Sequence, residues 1–132
     1  MKKTNAGKKI AACLLAGGLL LTISINSKAY NATYSVGGYT MTCQCTVAGT
    51  LGKSKSSSAV GSTGYDGNGT IQTVSVFAYN SSGTLLTNNY SESQVSAITT
   101  TTTKKGVTSY KGVHSILDSS RSVIKTVKKT QS

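Results

Sequence analysis

The sequence predicts an all-β fold, an antiparallel β-sandwich of about six to seven short strands, on three observations. From residue 30 onward the chain is rich in Ser, Thr, Gly, Asn and Tyr, with no Pro and no Trp. Thr and Tyr suit a pleated, half-buried strand, whereas Gly and Asn suit turns. Charged residues are too sparse for helices, whose exposed faces rely on Glu and Lys. Apolar residues also recur with period two rather than 3.6 where the pattern is clearest.

The first element is a leader. Residues 1–9 carry Lys2, Lys3, Lys8 and Lys9 and no acid. An apolar run over 10–25 follows, softened by Gly17, Gly18, Thr22 and Ser24. Ser27-Lys28-Ala29 then places small residues where a signal peptidase reads, so cleavage is expected between Ala29 and Tyr30. A membrane-spanning helix needs roughly 20 apolar residues. The run is shorter and no second one follows, so no stable membrane insertion is expected after cleavage. The expected organisation is a signal peptide over 1–29, bacterial in style, and a single β-sandwich domain over 30–132. The product is expected to be secreted.

Within that domain, residues 36–48 give the cleanest strand. Tyr39, Met41, Cys43, Cys45 and Val47 alternate with Thr40, Thr42, Gln44 and Thr46, which puts one apolar face against one hydroxyl-rich face. Residues 49–69 read as a loop with a short strand over 57–61, closing on Gly64-Tyr65-Asp66-Gly67-Asn68-Gly69. A second strong strand covers 70–79. Asn80-Ser81-Ser82-Gly83 then turns the chain into Thr84-Leu85-Leu86. Further strands are expected over 94–103, 107–117 and 122–127. The turn at Asp118-Ser119-Ser120-Arg121 repeats the chemistry of the one at Asn80, with Arg in place of Gly.

Charge narrows the partners. Five of the 14 basic residues leave with the signal; the nine that remain face only Asp66, Glu92 and Asp118, giving the domain +6 rather than +11. Such a field favours anionic partners through long-range steering. The expected partner is an anionic cell-wall or surface polymer, with Lys104, Lys105, Lys125, Lys128 and Lys129 as candidate contacts. Neutralising Lys125, Lys128 and Lys129 is expected to weaken binding and leave folding intact. Nucleic acid is not expected: arginine, the residue suited to bidentate phosphate and base recognition, occurs once. Tyr65, in the Gly-rich segment, is the candidate exposed aromatic contact.

Catalytic chemistry is not expected. Cys13 leaves with the signal, so Cys43 and Cys45 are the thiols of the domain. Residues i and i+2 of a regular strand lie nearly 7 Å apart, whereas disulfide Cβ atoms want about 3.8 Å. Three readings stay open for this pair: buried thiols packed as small hydrophobes, a strained local bridge, or a contact to another chain or a metal. Met41-Thr42-Cys43-Gln44-Cys45 resembles the Met-Thr-Cys-x-x-Cys loop of heavy-metal-associated domains but is one residue short and continues as strand, so no metal or other cofactor is expected. His114 is the only histidine. A Cys45–His114–Asp118 hydrolase would need a reactive, partly exposed thiolate, which the alternation denies to Cys45. No phosphate loop, nucleophile elbow or zinc helix occurs. The expected class is a secreted cationic binding protein. A bacteriocin-like antimicrobial protein and a subunit of a surface fibre are the two alternatives.

Overall fold

The computed structural model describes residues 28–100 and 104–132, so the expected signal helix lies outside the described residues. Nine strands build the rest: β1 (Lys28–Val36), β2 (Tyr39–Gly49), β3 (Ser56–Tyr65), β4 (Thr70–Tyr79), β5 (Leu85–Ser93), β6 (Ser96–Thr100), β7 (Lys104–Lys105), β8 (Ser109–Asp118) and β9 (Val123–Gln131). One sheet runs β1-β2-β3-β6, with β7 beside β3; the other runs β5-β4-β8-β9. Every pairing is antiparallel. The two sheets pack as a sandwich. This is the fold class that composition and period two predicted, with more strands than expected.

Two elements depart from expectation for identifiable reasons. The strand expected over 36–48 is the second arm of a hairpin. Gly37 and Gly38 turn the chain at φ of 58° and 81°, and β1 precedes them. The segment expected to be mostly loop, 49–69, holds a ten-residue strand, β3, at the centre of its sheet. Its inward positions are Ser57, Ala59, Gly61 and Thr63, small or polar, so no apolar alternation marks them. The pairing of β3 with β2 on one side and with β6 and β7 on the other outweighs its weak local propensity.

The core forms two clusters between the sheets. Cys45, Val47 and Ala59 of one sheet meet Val74, Val76, Ala78 and Tyr110 of the other, with Ala97 and Val107 beside them. Met41, Cys43 and Val36 meet Ile116 and Val127. Tyr30 packs against both clusters. At Gly61 the facing sheet leaves no room for a side chain: a Cβ there would lie 2.5 Å from Val76 Cγ2.

The two similar turns are built alike. Asn80 Oδ1 accepts from the backbone N–H groups of Ser82 (3.0 Å) and Thr84 (2.9 Å), and Asp118 Oδ1 accepts from those of Ser120 and Ser122 (both 2.9 Å). Gly83 and Arg121, the one mismatched pair, occupy the same left-handed position at φ of 79° and 69°. Arg121 is thus a non-glycine residue in glycine territory, a strain of about 1 kcal/mol or more. Its guanidinium donates from Nη2 and Nη1 to the two Glu92 carboxylate oxygens at 2.8 and 3.2 Å, an interaction that Gly could not make.

Candidate binding surface and a buried tyrosine–histidine network

Strand register gathers four lysines at one end of the sandwich and the three acids at the other. At one end β2 passes into β3, and the register pairs Ser56 with Lys105 and Ser57 with Lys104. The connecting loop carries Lys53 and Lys55. Four backbone bonds clamp this end: Gly52 N to Val107 O (2.8 Å), Gly106 N to Lys55 O (2.9 Å), Lys55 N to Gly52 O (3.1 Å) and Thr50 N to Ser56 O (3.3 Å). The clamp gathers Lys53, Lys55, Lys104 and Lys105, all four exposed. Glycine is required beside it, because a Cβ on Gly49, at φ of 87°, would lie 2.5 Å from the Ser56 carbonyl oxygen.

All three acids sit at the other end, and each is engaged. Asp66 Oδ1 accepts from Thr40 N at 2.6 Å. Asp118 caps its turn, and the Ser120 hydroxyl bonded to it leads in holding its carboxyl below the usual range. Glu92 pairs with Arg121 and accepts from the Tyr90 hydroxyl at 2.6 Å. Those two bonds, Arg121 first, hold its carboxyl near 2. Arg121 and Glu92 form an exposed ion pair at 2.8 Å. All three Asp and Glu side chains thus stand away from the four lysines at the clamped end.

The other expected contacts are placed differently. Lys125, Lys128 and Lys129 do not form one patch. They lie on β9, at the opposite edge of the sandwich from Lys104 and Lys105. Alternation along β9 puts Lys125 and Lys129 on one face and Lys128 on the other. Lys125 Nζ stands 5.9 Å from the centroid of the Tyr34 ring. Three lysines along an exposed edge strand also discourage pairing with another chain. Lys128 shares the outer face with Lys111: the register pairs Val113 with Lys128 and Lys111 with Thr130.

Tyr65 is not an exposed loop residue. It ends β3, half-buried, and its hydroxyl donates to the Val36 carbonyl at 2.8 Å. Its ring meets Tyr39 edge-on at 5.9 Å and covers Gly67, where a Cβ would lie 2.2 Å from Cε2. The side chain ties the β1–β2 hairpin to the β3–β4 loop. Asp66 and the three nearby glycines suggested a loop in the sequence, but the chain turns one residue later.

A polar network centred on His114 crosses the core between the sheets, as does the buried Ser57–Tyr110 hydroxyl pair at 3.0 Å. His114, fully buried on β8, meets the Tyr30 hydroxyl of β1 at Nε2 (2.5 Å) and the Thr63 hydroxyl of β3 at Nδ1 (2.8 Å). Burial keeps the Tyr30 phenol protonated by pushing its pKa up, with the neighbouring Cys45 and Cys43 adding to the shift. With the phenol as donor to Nε2, the ring carries its proton on Nδ1, facing Thr63; in the other tautomer Nε2–H donates to the phenol oxygen. Burial pulls the imidazole down to about 4, against a smaller opposing contribution from a hydrogen bond to the Ser62 backbone. The Tyr30 and His114 rings meet edge-on at 5.7 Å. Gly112 makes the contact sterically possible, because a Cβ there would lie 2.0 Å from Tyr30 Oη.

Cys43 and Cys45 are free and fully buried, both on the inward face of β2. Of the three readings, this geometry matches thiols packed as small hydrophobes. Burial pushes each thiol up to about 12, which removes the thiolate needed for reactivity. Both ring nitrogens of His114 are taken by Tyr30 and Thr63, and Asp118 caps a turn, so Cys45, His114 and Asp118 are not assembled into a triad. No group of three His, Cys, Asp or Glu able to hold a metal occurs among the described residues. With the domain starting at Tyr30, neither thiol is expected to react with a thiol reagent in native buffer, and both should react in denaturant. Rapid native labelling, or an intact mass 2 Da low, would contradict that placement.

No family model matches the chain, and no curated protein is similar to it. Two solved structures are similar in part: Bacteroides uniformis beta-glucuronidase and a calcium-binding mutant of Bacteroides uniformis beta-glucuronidase 2. Each is 11% identical over 79% of this chain, with a TM-score of 0.43. The chain spans 13% of the length of either. That likeness says nothing of activity.

Proposed function

We propose that this is an exported, cationic β-sandwich that binds an anionic cell-wall or surface polymer through its lysine end. The segregation of charge supports the reading: Lys53, Lys55, Lys104 and Lys105 stand together, exposed and free of acids, while Asp66, Glu92 and Asp118 are all at the far end. A uniformly solvated basic surface would intersperse the signs. Lysine ammonium groups are compact point charges on flexible stems. They suit a polymer whose negative groups repeat along a mobile chain better than they suit one fixed bidentate ligand.

Poly(glycerol phosphate) provides a defined probe and neutral dextran its control. Affinity for the first should fall with salt, with a log–log slope of about −3 if four lysines release counterions as on a single-stranded polyanion. Replacing Lys53, Lys55, Lys104 and Lys105 by Gln should weaken binding more than ten-fold and flatten that slope. Replacing Lys125, Lys128 and Lys129 should matter less, because β9 spreads them over two faces. Equal loss from the two sets would place binding in net charge rather than in the lysine end. Equal affinity for dextran would remove the electrostatic reading altogether.

A further inference from the structure

Among the described residues, β1 is an edge strand whose only strand partner is β2. Its first residues are nevertheless held from three sides. The register pairs Ala29 with Thr46 and Tyr30 with Cys45. The Tyr30 side chain passes between the sheets to His114, in the space left by Gly112. From β9, the Gln131 amide, turned so that its oxygen faces β1, accepts from the backbone N–H groups of Ala29 (3.2 Å) and Tyr30 (3.3 Å). The peptide bond between Ala29 and Tyr30 therefore lies inside a docked strand. A peptidase needs a free, extended segment whose backbone groups are available to it.

We infer that the Ala29–Tyr30 bond is a processing site open only while β1 is undocked, with Tyr30 and Gln131 as the latch that closes it. The inference rests on the export reading above. Hydrolysis adds water across the bond: the hydroxyl goes to the Ala29 carbonyl carbon, and the proton goes to the Tyr30 nitrogen, which leaves as an amine and takes up a second proton. The new ammonium then lies where the Tyr30 amide faced Gln131 Oε1, and it donates a charge-assisted hydrogen bond there. The processed chain thus binds its own new end.

The test uses the full 132-residue chain and a bacterial signal peptidase in detergent, reading by mass the fragment that begins at Tyr30. One sample is folded beforehand; the other enters from urea at the moment of mixing. The folded chain should be cut at least about ten-fold more slowly. Tyr30→Phe keeps the ring but loses the hydroxyl. Folded beforehand, it should be cut about five-fold faster than the folded parent, after normalisation to its own rate from urea. Gly112→Ala should move the same way and further. Equal rates for folded and unfolded parent would overturn the latch, as would a folded Tyr30→Phe chain cut no faster than the parent. A chain that is not cut at this bond even from urea would instead overturn the export reading.

Discussion

Gly112→Ala is expected to be the most destabilising single-methyl change in the domain. Gly112 has no positive φ, so the reason is space rather than backbone freedom. The added Cβ would lie 2.0 Å from Tyr30 Oη, 2.9 Å from His114 Nε2 and 3.3 Å from Tyr30 Cζ. A rigid phenol between two sheets cannot yield by that much. Either Tyr30 leaves the core or β1 and β8 move apart. Overpacking costs about 1–3 kcal/mol, and His114 Nε2 left buried without its hydrogen-bond partner costs about 1–3 kcal/mol more. A total of about 3 kcal/mol corresponds to a fall of about 15 °C in Tm for a domain of this size. Gly64→Ala is the control, since nothing lies within 4 Å of its Cβ position. A double-mutant cycle isolates the cause. In a Tyr30→Ala background, Gly112→Ala should cost far less, because the obstructing ring is gone. Additive losses would show that Gly112 matters for some reason other than Tyr30.

Where the sequence was legible and where it was not follows from the same geometry. β2 and β4 announce themselves because their inward positions are apolar: Met41, Cys43, Cys45 and Val47 on one, Val74, Val76 and Ala78 on the other. β3 is as buried as either, yet its inward set of Ser57, Ala59, Gly61 and Thr63 reads as loop. It must be small there because Val76 and Val74 press on Gly61, and that constraint is visible only once the sheets are stacked. Tyr30, Tyr34 and Val36 do alternate, but the expected cleavage point and the unread Gly37–Gly38 turn left β1 without a partner. The lysine end was half legible. Lys104 and Lys105 stand out in sequence, whereas Lys53 and Lys55 join them only through the pairing of β7 with β3. His114 sits on the inward face of β8 with Gly112 and Ile116, fully buried. Its bond to Tyr30, 84 positions away, is not legible in the sequence.

That buried histidine makes stability depend on pH in a predictable direction. Unfolded, the ring takes its proton near 6.5; folded, burial holds it to about 4. Between those values the unfolded chain binds the extra proton, so stability is complete above about pH 6.5 and falls as pH drops toward 4. The full difference is about 3 kcal/mol. The groups around the ring do not offset it. Tyr30 from β1 and the Cys43 and Cys45 thiols from β2 all have raised pKa values and stay neutral in this range. Glu92 and Asp118 titrate lower and at the surface, so their effect belongs to more acid conditions and is small. Denaturant titrations at pH 7 and pH 4.5 should therefore show the midpoint falling, with the slope unchanged. His114→Gln should lower stability at pH 7 yet flatten the profile between 7 and 4.5, because no ring remains to be charged. A parent protein equally stable at both pH values would mean that His114 is reached by water. A His114→Gln variant that kept the full slope would assign the proton uptake to another group.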